Sequence, residues 1–140
     1  MRRETNGRTA IEAVDLLVWE VVTASGDLSQ GPECGLSRLL RETAAAALAG
    51  VGQACREDCR RRGIERLATV LDELRRLATW LDLAERFGDL SAGRALPALE
   101  SQARALAAVD RLQARWLEAA ETGDPVDYAT VEVTLPTELA

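Results

Sequence analysis

The side chains that most often do chemistry are thinly represented in this chain of 140 residues, which contains no histidine and no lysine. All 17 of its positive side chains are arginines. The commonest neutral-pH general base and the Schiff-base amine are therefore missing. Three cysteines remain, Cys34, Cys55 and Cys59. Cys55 and Cys59 are four apart, which on a continuous helix puts both thiols on one face. A structural zinc needs four suitable ligands, and with no imidazole and no second cysteine pair these thiols read as structural. A nucleophilic cysteine finds no histidine to activate it. Asp72 and Glu73 lie three residues before Arg75 and Arg76, the pattern of a solvated ion-pair face. Gly50-Val51-Gly52 falls in a helical stretch with no strand before it, so it is not a phosphate-cradling loop. The expectation is no catalytic residue, no metal, no cofactor and no small-molecule substrate.

One segment stands out by charge: Arg56-Glu57-Asp58-Cys59-Arg60-Arg61-Arg62-Gly63-Ile64-Glu65-Arg66. Arg56, Arg60, Arg61, Arg62 and Arg66 outnumber its three acids, and guanidinium forks suit phosphate. These five are the candidate nucleic-acid or partner contacts. The plainer reading is that they complement the negative C-terminal end of a helix.

Four helical segments position these residues. The first opens at Thr9, where Glu12 completes a capping box. It carries Ile11, Val14, Leu17, Val18, Val21 and Val22 at helical spacing and stops at Gly26. Gly31-Pro32 then marks a loop. The second runs from Ser37, read as its N-cap, to Arg62, with Gly63 as the interruption. Its inner stripe of Ala44, Ala47, Val51 and Ala54, beside Gly50 and Gly52, is small enough for close helix approach. The third covers Ile64–Phe87, with Leu67, Leu71, Leu74, Leu77, Leu81 and Ala84 on one side and Gly88 at its end. The fourth opens near Pro97, a favoured first-turn residue. It carries Leu99, Ala103, Leu106, Val109, Trp116 and Leu117 up to Gly123. Short connections between such helices predict an all-α protein, an antiparallel up-and-down four-helix bundle over residues 9–123. Residues 1–8 read as an N-terminal arm.

Residues 124–140 change period. Val131, Val133 and Leu135 alternate with Glu132 and Thr134 before Pro136, which predicts a short extended, β-like tail. No second strand is in the sequence to pair with it, so Val131, Val133 and Leu135 are candidate contacts with a partner. Six acids follow Arg115 (Glu118, Glu121, Asp124, Asp127, Glu132 and Glu138), and no arginine does. Residues 1–116 are neutral, so the net charge of −6 belongs to this C-terminal stretch. Its acids would meet a basic acceptor surface or keep RNA away. The chain has no run of 18 apolar residues and no signal-like start, which predicts a cytoplasmic protein without a membrane span. The four apolar stripes and Trp19, Trp80 and Trp116 exceed what one thin bundle buries. The tryptophans are read as core or interface anchors, and a closed homo-oligomer is expected.

Three motifs resemble a known family. Asp15-Leu16-Leu17-Val18-Trp19-Glu20 is similar to its "hydrophobic–Val-Trp-Gln/Glu" motif on helix one. Glu33-Cys34-Gly35-Leu36-Ser37-Arg38-Leu39-Leu40-Arg41 resembles the "E-x-Y-G-L-T-x-Q-L-R-R" that opens its helix two. Ala84-Glu85-Arg86-Phe87-Gly88-Asp89-Leu90 resembles the "A-x-x-L-G-Y-L" that leaves helix three. The family is the four-helix-bundle proteins encoded by intervening sequences in bacterial 23S ribosomal RNA genes. The accessory variability (Avd) proteins of diversity-generating retroelements are its relatives. The resemblance spans residues 12–118. It implies a homopentamer, and for the retroelement branch a non-enzymatic accessory subunit that binds a reverse transcriptase and its template RNA. The chain departs from the family where Gly50-Val51-Gly52-Gln53-Ala54 replaces a common "N-I-A-E-G", and in having a neutral body where the retroelement relatives are basic. The alternative is a stand-alone homo-oligomeric bundle that acts through protein–protein contacts without nucleic acid.

Overall fold

The computed structural model describes residues 2–26, 28 and 35–122. It is an up-and-down bundle of four helices: α1 (Arg2–Gly26), α2 (Gly35–Arg56), α3 (Arg60–Arg86) and α4 (Ala92–Thr122). Among the described residues there is no strand. Each helix packs on its neighbours in the chain, and α4 closes against α1. No described helix is long and apolar enough to cross a membrane. The expected tail strand, with Val131, Val133 and Leu135, and the Gly31-Pro32 loop lie outside the described residues.

The core is built from the stripes that the spacing marks. Val14, Leu17 and Val21 of α1 are buried with Ala44, Ala47, Val51 and Ala54 of α2 and with Leu67, Leu71, Leu74, Leu77, Leu81 and Ala84 of α3. A Cβ on Gly50 would lie 2.6 Å from Cγ2 of Val70, so α2 and α3 meet there closer than any side chain allows. Two side-chain amides fix the antiparallel register of α3 and α4. Gln102 Nε2 donates to the Leu74 carbonyl at 2.8 Å, and Gln113 Nε2 to the Ile64 carbonyl at 3.3 Å.

Several helix ends differ from expectation. α1 starts at Arg2, so residues 2–8 continue the helix instead of forming an arm. Thr9 lies inside it and is not its N-cap. Nothing in Arg2–Arg8 breaks a helix except Gly7, which is buried and costs about 1 kcal/mol relative to alanine. Ser37 is likewise inside α2. Its hydroxyl donates to the Ser25 carbonyl at 3.2 Å, tying the start of α2 to the end of α1.

The largest displacement is between α2 and α3. Gly63 is not the interruption; it is buried in the first turn of α3, and its N–H donates to the Cys59 carbonyl at 3.0 Å. The chain turns at Glu57-Asp58-Cys59, where Cys59 takes an extended conformation with φ −99° and ψ 121°. Between Cys55 and Gly63 every residue but Cys59 is charged, so this stretch offers no large apolar side chain to the core, and the chain turns within it.

Gly88 ends α3 as expected, with φ +77°. The N–H groups of Gly88 and Asp89 return to the carbonyls of Glu85 and Ala84 at 3.0 and 2.9 Å. α4 begins at Ala92, not Pro97. The Ser91 carbonyl accepts from the N–H groups of Arg94 and Ala95 at 3.0 and 2.9 Å. Pro97 stands on the exposed side of the helix and leaves the Gly93 carbonyl without its helical donor. The buried stripe of α4 matches the expected one only in part: Val109 and Trp116 are buried, and Leu99 and Leu106 are half-buried against the core. Ala95, Ala98, Ala105, Ala108, Val109, Leu112 and Trp116 face inward, while Ala103 and Leu117 are exposed. Alanines fill the narrow interior over the first part of the helix, and Leu112 and Trp116 fill it toward the C-terminal end.

Candidate nucleic-acid interface

The arginine segment forms one end of the bundle. Arg56 closes α2 and is exposed; Arg60, Arg61 and Arg62 make the first turn of α3; Arg66 follows one turn later. Arg61 and Arg62 are exposed, and Arg60 is half-buried. Arg66 is held to its own chain: Nε donates to the Glu57 carboxylate, and Nη1 to Gln53 Oε1 at 3.0 Å. Arg62 and Arg66, with Glu57, Glu65 and Thr69, line an open hollow of about 200 Å³. Arg56, Arg60 and Arg61 lie around the same turn but outside that lining.

This placement removes the plain electrostatic explanation for three of the five. Only Arg56 sits at a helix C-terminus, where a cation is stabilised by the backbone dipole. Arg60, Arg61 and Arg62 crowd the positive end of α3, which has no acid in its first turn. There the dipole opposes them. Three guanidinium groups and the positive end of the helix dipole therefore lie together as one positive region.

Cys59 reports that field. It occupies the N-cap position of α3, and although its thiol closes no cap hydrogen bond, its pKa lies below the ordinary thiol value. The backbone N–H groups of Arg62 and then Arg61 are the main cause; the charges of the two guanidiniums contribute less. The expected shared face for the two cysteines is not formed. Cys55 is buried in the last turn of α2, whereas Cys59 lies beyond the break. Among the described residues no group of His, Cys, Asp and Glu side chains could hold a metal ion. The Asp72 and Arg75 pair is an exposed ion pair at 3.4 Å, as its spacing predicts. Glu73 is half-buried, and burial raises its pKa against the lowering effect of Arg76.

The opposite end of the bundle has another character. Trp116 is buried and Trp80 half-buried, but Trp19 is 65% exposed. Leu16, Trp19 and Val22 lie on the C-terminal half of α1, Leu39 near the start of α2, Leu83 and Phe87 at the end of α3, and Leu96 near the start of α4. All seven are exposed, and up-and-down topology gathers them in the half away from the arginines. Phe87, at 73%, is the most open. Among the described residues, Leu117 is the one exposed large apolar residue at the arginine end. Sequence reasoning marked Trp19 as an anchor but missed Leu39, Phe87 and Leu96, which no stripe includes. The signal was there: a leucine or phenylalanine off the helical stripe of its own segment.

Comparison of the chain with protein-family models, with curated proteins and with solved structures finds no match.

Proposed function

We propose that the protein is a non-enzymatic, self-associating adaptor of the cytoplasm that engages a reverse transcriptase and its template RNA, in the manner of the accessory subunits of diversity-generating retroelements. The observation that carries this reading is the polarity of the bundle: arginines on the first turn of α3 at one end, exposed apolar side chains toward the other. The cationic end suits phosphate, which needs charge and hydrogen-bond donors but no base-reading groove. The apolar half suits copies of the chain or a protein partner, since an exposed Trp and Phe are the kind of anchor that association buries. The motifs around Trp19, Leu36 and Gly88 add the retroelement relatives and a pentamer to this reading.

The test is mass measurement under native conditions, alone and with template-type RNA. The adaptor reading requires a discrete homo-oligomer, five copies by the resemblance, that gains RNA. A discrete oligomer that takes up no RNA at any salt concentration supports the second reading, a homo-oligomeric bundle acting on proteins alone. The neutral charge of residues 1–116 favours that second reading. A monomer at micromolar concentration contradicts both.

A further inference from the structure

Two faces of the bundle are apolar where a helix surface open to water is ordinarily charged. On α1, Leu16, Trp19 and Val22 follow one another at three-residue spacing and all are exposed. Large apolar side chains gathered on an open face mark a place where something docks. On α2, no charged residue occurs from Thr43 to Gly52, although Ala45, Ala46 and Ala49 are exposed. This second face is a furrow, not a ridge. Gly50 has no side chain and Ala46 and Ala49 have only a methyl, so nothing stands up from the α2 side of the hollow between α2 and α3. That hollow holds about 270 Å³, with Val70 on its α3 side. Arg66 and Thr69 border it and also line the hollow beside Arg62.

The two faces complement one another in size, length and sign. Helices pack by seating the ridges of one in the grooves of another, and here α1 supplies large side chains and the furrow small ones. From Leu16 to Val22 the stripe is about 9 Å long, and from Ala46 to Gln53 the furrow is about 10 Å long. Between Thr9 and Gly26, α1 carries Glu12, Asp15 and Glu20 and no arginine. Around the furrow the balance is reversed: α2 has Arg38, Arg41 and Arg56 against Glu42, and α3 has seven arginines against five acids. An acidic helix segment therefore meets a positive helix pair, which steers and orients association. We infer that the Leu16–Trp19–Val22 face of one copy of this chain seats in the α2–α3 furrow of a second copy. Face and furrow lie on different helices, so the contact is head-to-tail. Every copy offers one of each, and the assembly closes into a ring or runs on, instead of pairing about a twofold axis. This contact rests on the reading of the chain as self-associating, and gives that reading its surfaces.

The experiment is analytical ultracentrifugation of four full-length samples: the unaltered chain, the variant Leu16→Ser with Trp19→Ser, the variant Ala46→Gln with Ala49→Gln, and an equimolar mixture of the two variants. All four altered positions are exposed, so circular dichroism is expected to show the same helix content in each protein. The unaltered chain is expected to assemble. Each variant alone is expected to lose at least about tenfold in self-affinity and to sediment as a monomer at the same concentration. Mixing restores a single contact, because the intact furrow of the first variant takes the intact α1 face of the second. The mixture should therefore give a one-to-one dimer and nothing larger. Variants that assemble like the unaltered chain overturn this contact and leave self-association standing. Loss of assembly in only one variant, or a mixture that stays monomeric, also overturns it, because face and furrow then do not meet. A monomeric unaltered chain overturns self-association itself, and the occupant of the two faces would then be another protein.

Discussion

Gly50 of α2 and Val70 of α3 meet so closely that a Cβ on the glycine would lie 2.6 Å from Cγ2 of the valine. The half-buried glycine faces a fully buried partner, so the neighbour has little room to withdraw. Gly50→Val is expected to lower stability by about 1–3 kcal/mol through overpacking, despite the better helix propensity of the new residue. Combining it with Val70→Ala should recover part of that loss, a coupling read from urea denaturation of the two single variants and the double. Strict additivity would mean that the two helices do not touch at this point.

The two tryptophans at the extremes of exposure should behave oppositely. Trp116 is 1% exposed, and Trp116→Ala is expected to cost about 3–5 kcal/mol. Trp19 is 65% exposed, so Trp19→Ser should change the stability of the isolated fold by no more than about 0.5 kcal/mol. Its effect should fall on self-association instead, as a shift toward smaller species in sedimentation velocity. A Trp19→Ser protein that unfolds readily and assembles normally would show that Trp19 supports the core.

The buried Gln102 holds α4 to the Leu74 carbonyl at 2.8 Å. Gln102→Ala removes the bond and leaves space, at an expected cost of about 1–3 kcal/mol by thermal denaturation. Gln102→Asn keeps the amide but shortens the arm, so it should not restore the stability.

Cys59 offers a readout of the arginine end that needs no ligand. Its pKa is depressed, chiefly by the N–H groups of Arg62 and Arg61, so the thiolate is present at lower pH than for an ordinary thiol. The sign for stability follows: the folded state favours the thiolate, a contribution present above the unfolded-state pKa and lost as pH falls through the folded value. Alkylation by iodoacetamide, resolved by peptide mass spectrometry, should rise at Cys59 with a midpoint below that of free cysteine in the same buffer. Cys55 is buried and should react only on unfolding. A Cys59 midpoint at or above free cysteine would mean that the start of α3 is not positive.

Much of this was legible in the residues, and the failures have physical causes. Leu67, Leu71, Leu74, Leu77, Leu81 and Ala84 are apolar at helical spacing, and all are buried. Gly88 terminates a helix because its φ of +77° suits only glycine without strain. The α2–α3 turn was misplaced because Gly63 looks like a stop, whereas the absence of apolar residues from Arg56 onward was the true signal. That shift of a few residues changes the electrostatics of the site, since arginines read as helix-ending are helix-opening. The stripe of α4 was read in part: Val109 and Trp116 are buried, but Ala95, Ala98, Ala105 and Ala108 were passed over because leucine draws attention and alanine does not. Side-chain ties such as Ser37 to the Ser25 carbonyl depend on packing and leave no local trace.

The claim that the first turn of α3 binds phosphate is tested most directly by the salt dependence of RNA affinity in the full chain and in the triple variant Arg60→Ala, Arg61→Ala, Arg62→Ala. Circular dichroism first confirms that both are helical. Binding by the full chain should weaken steeply with added salt through counterion release. The variant should bind all RNA sequences more weakly to a similar degree, with a log–log salt slope smaller by about one for each phosphate that is no longer neutralised. Affinity and slope unchanged in the folded triple variant would contradict the account.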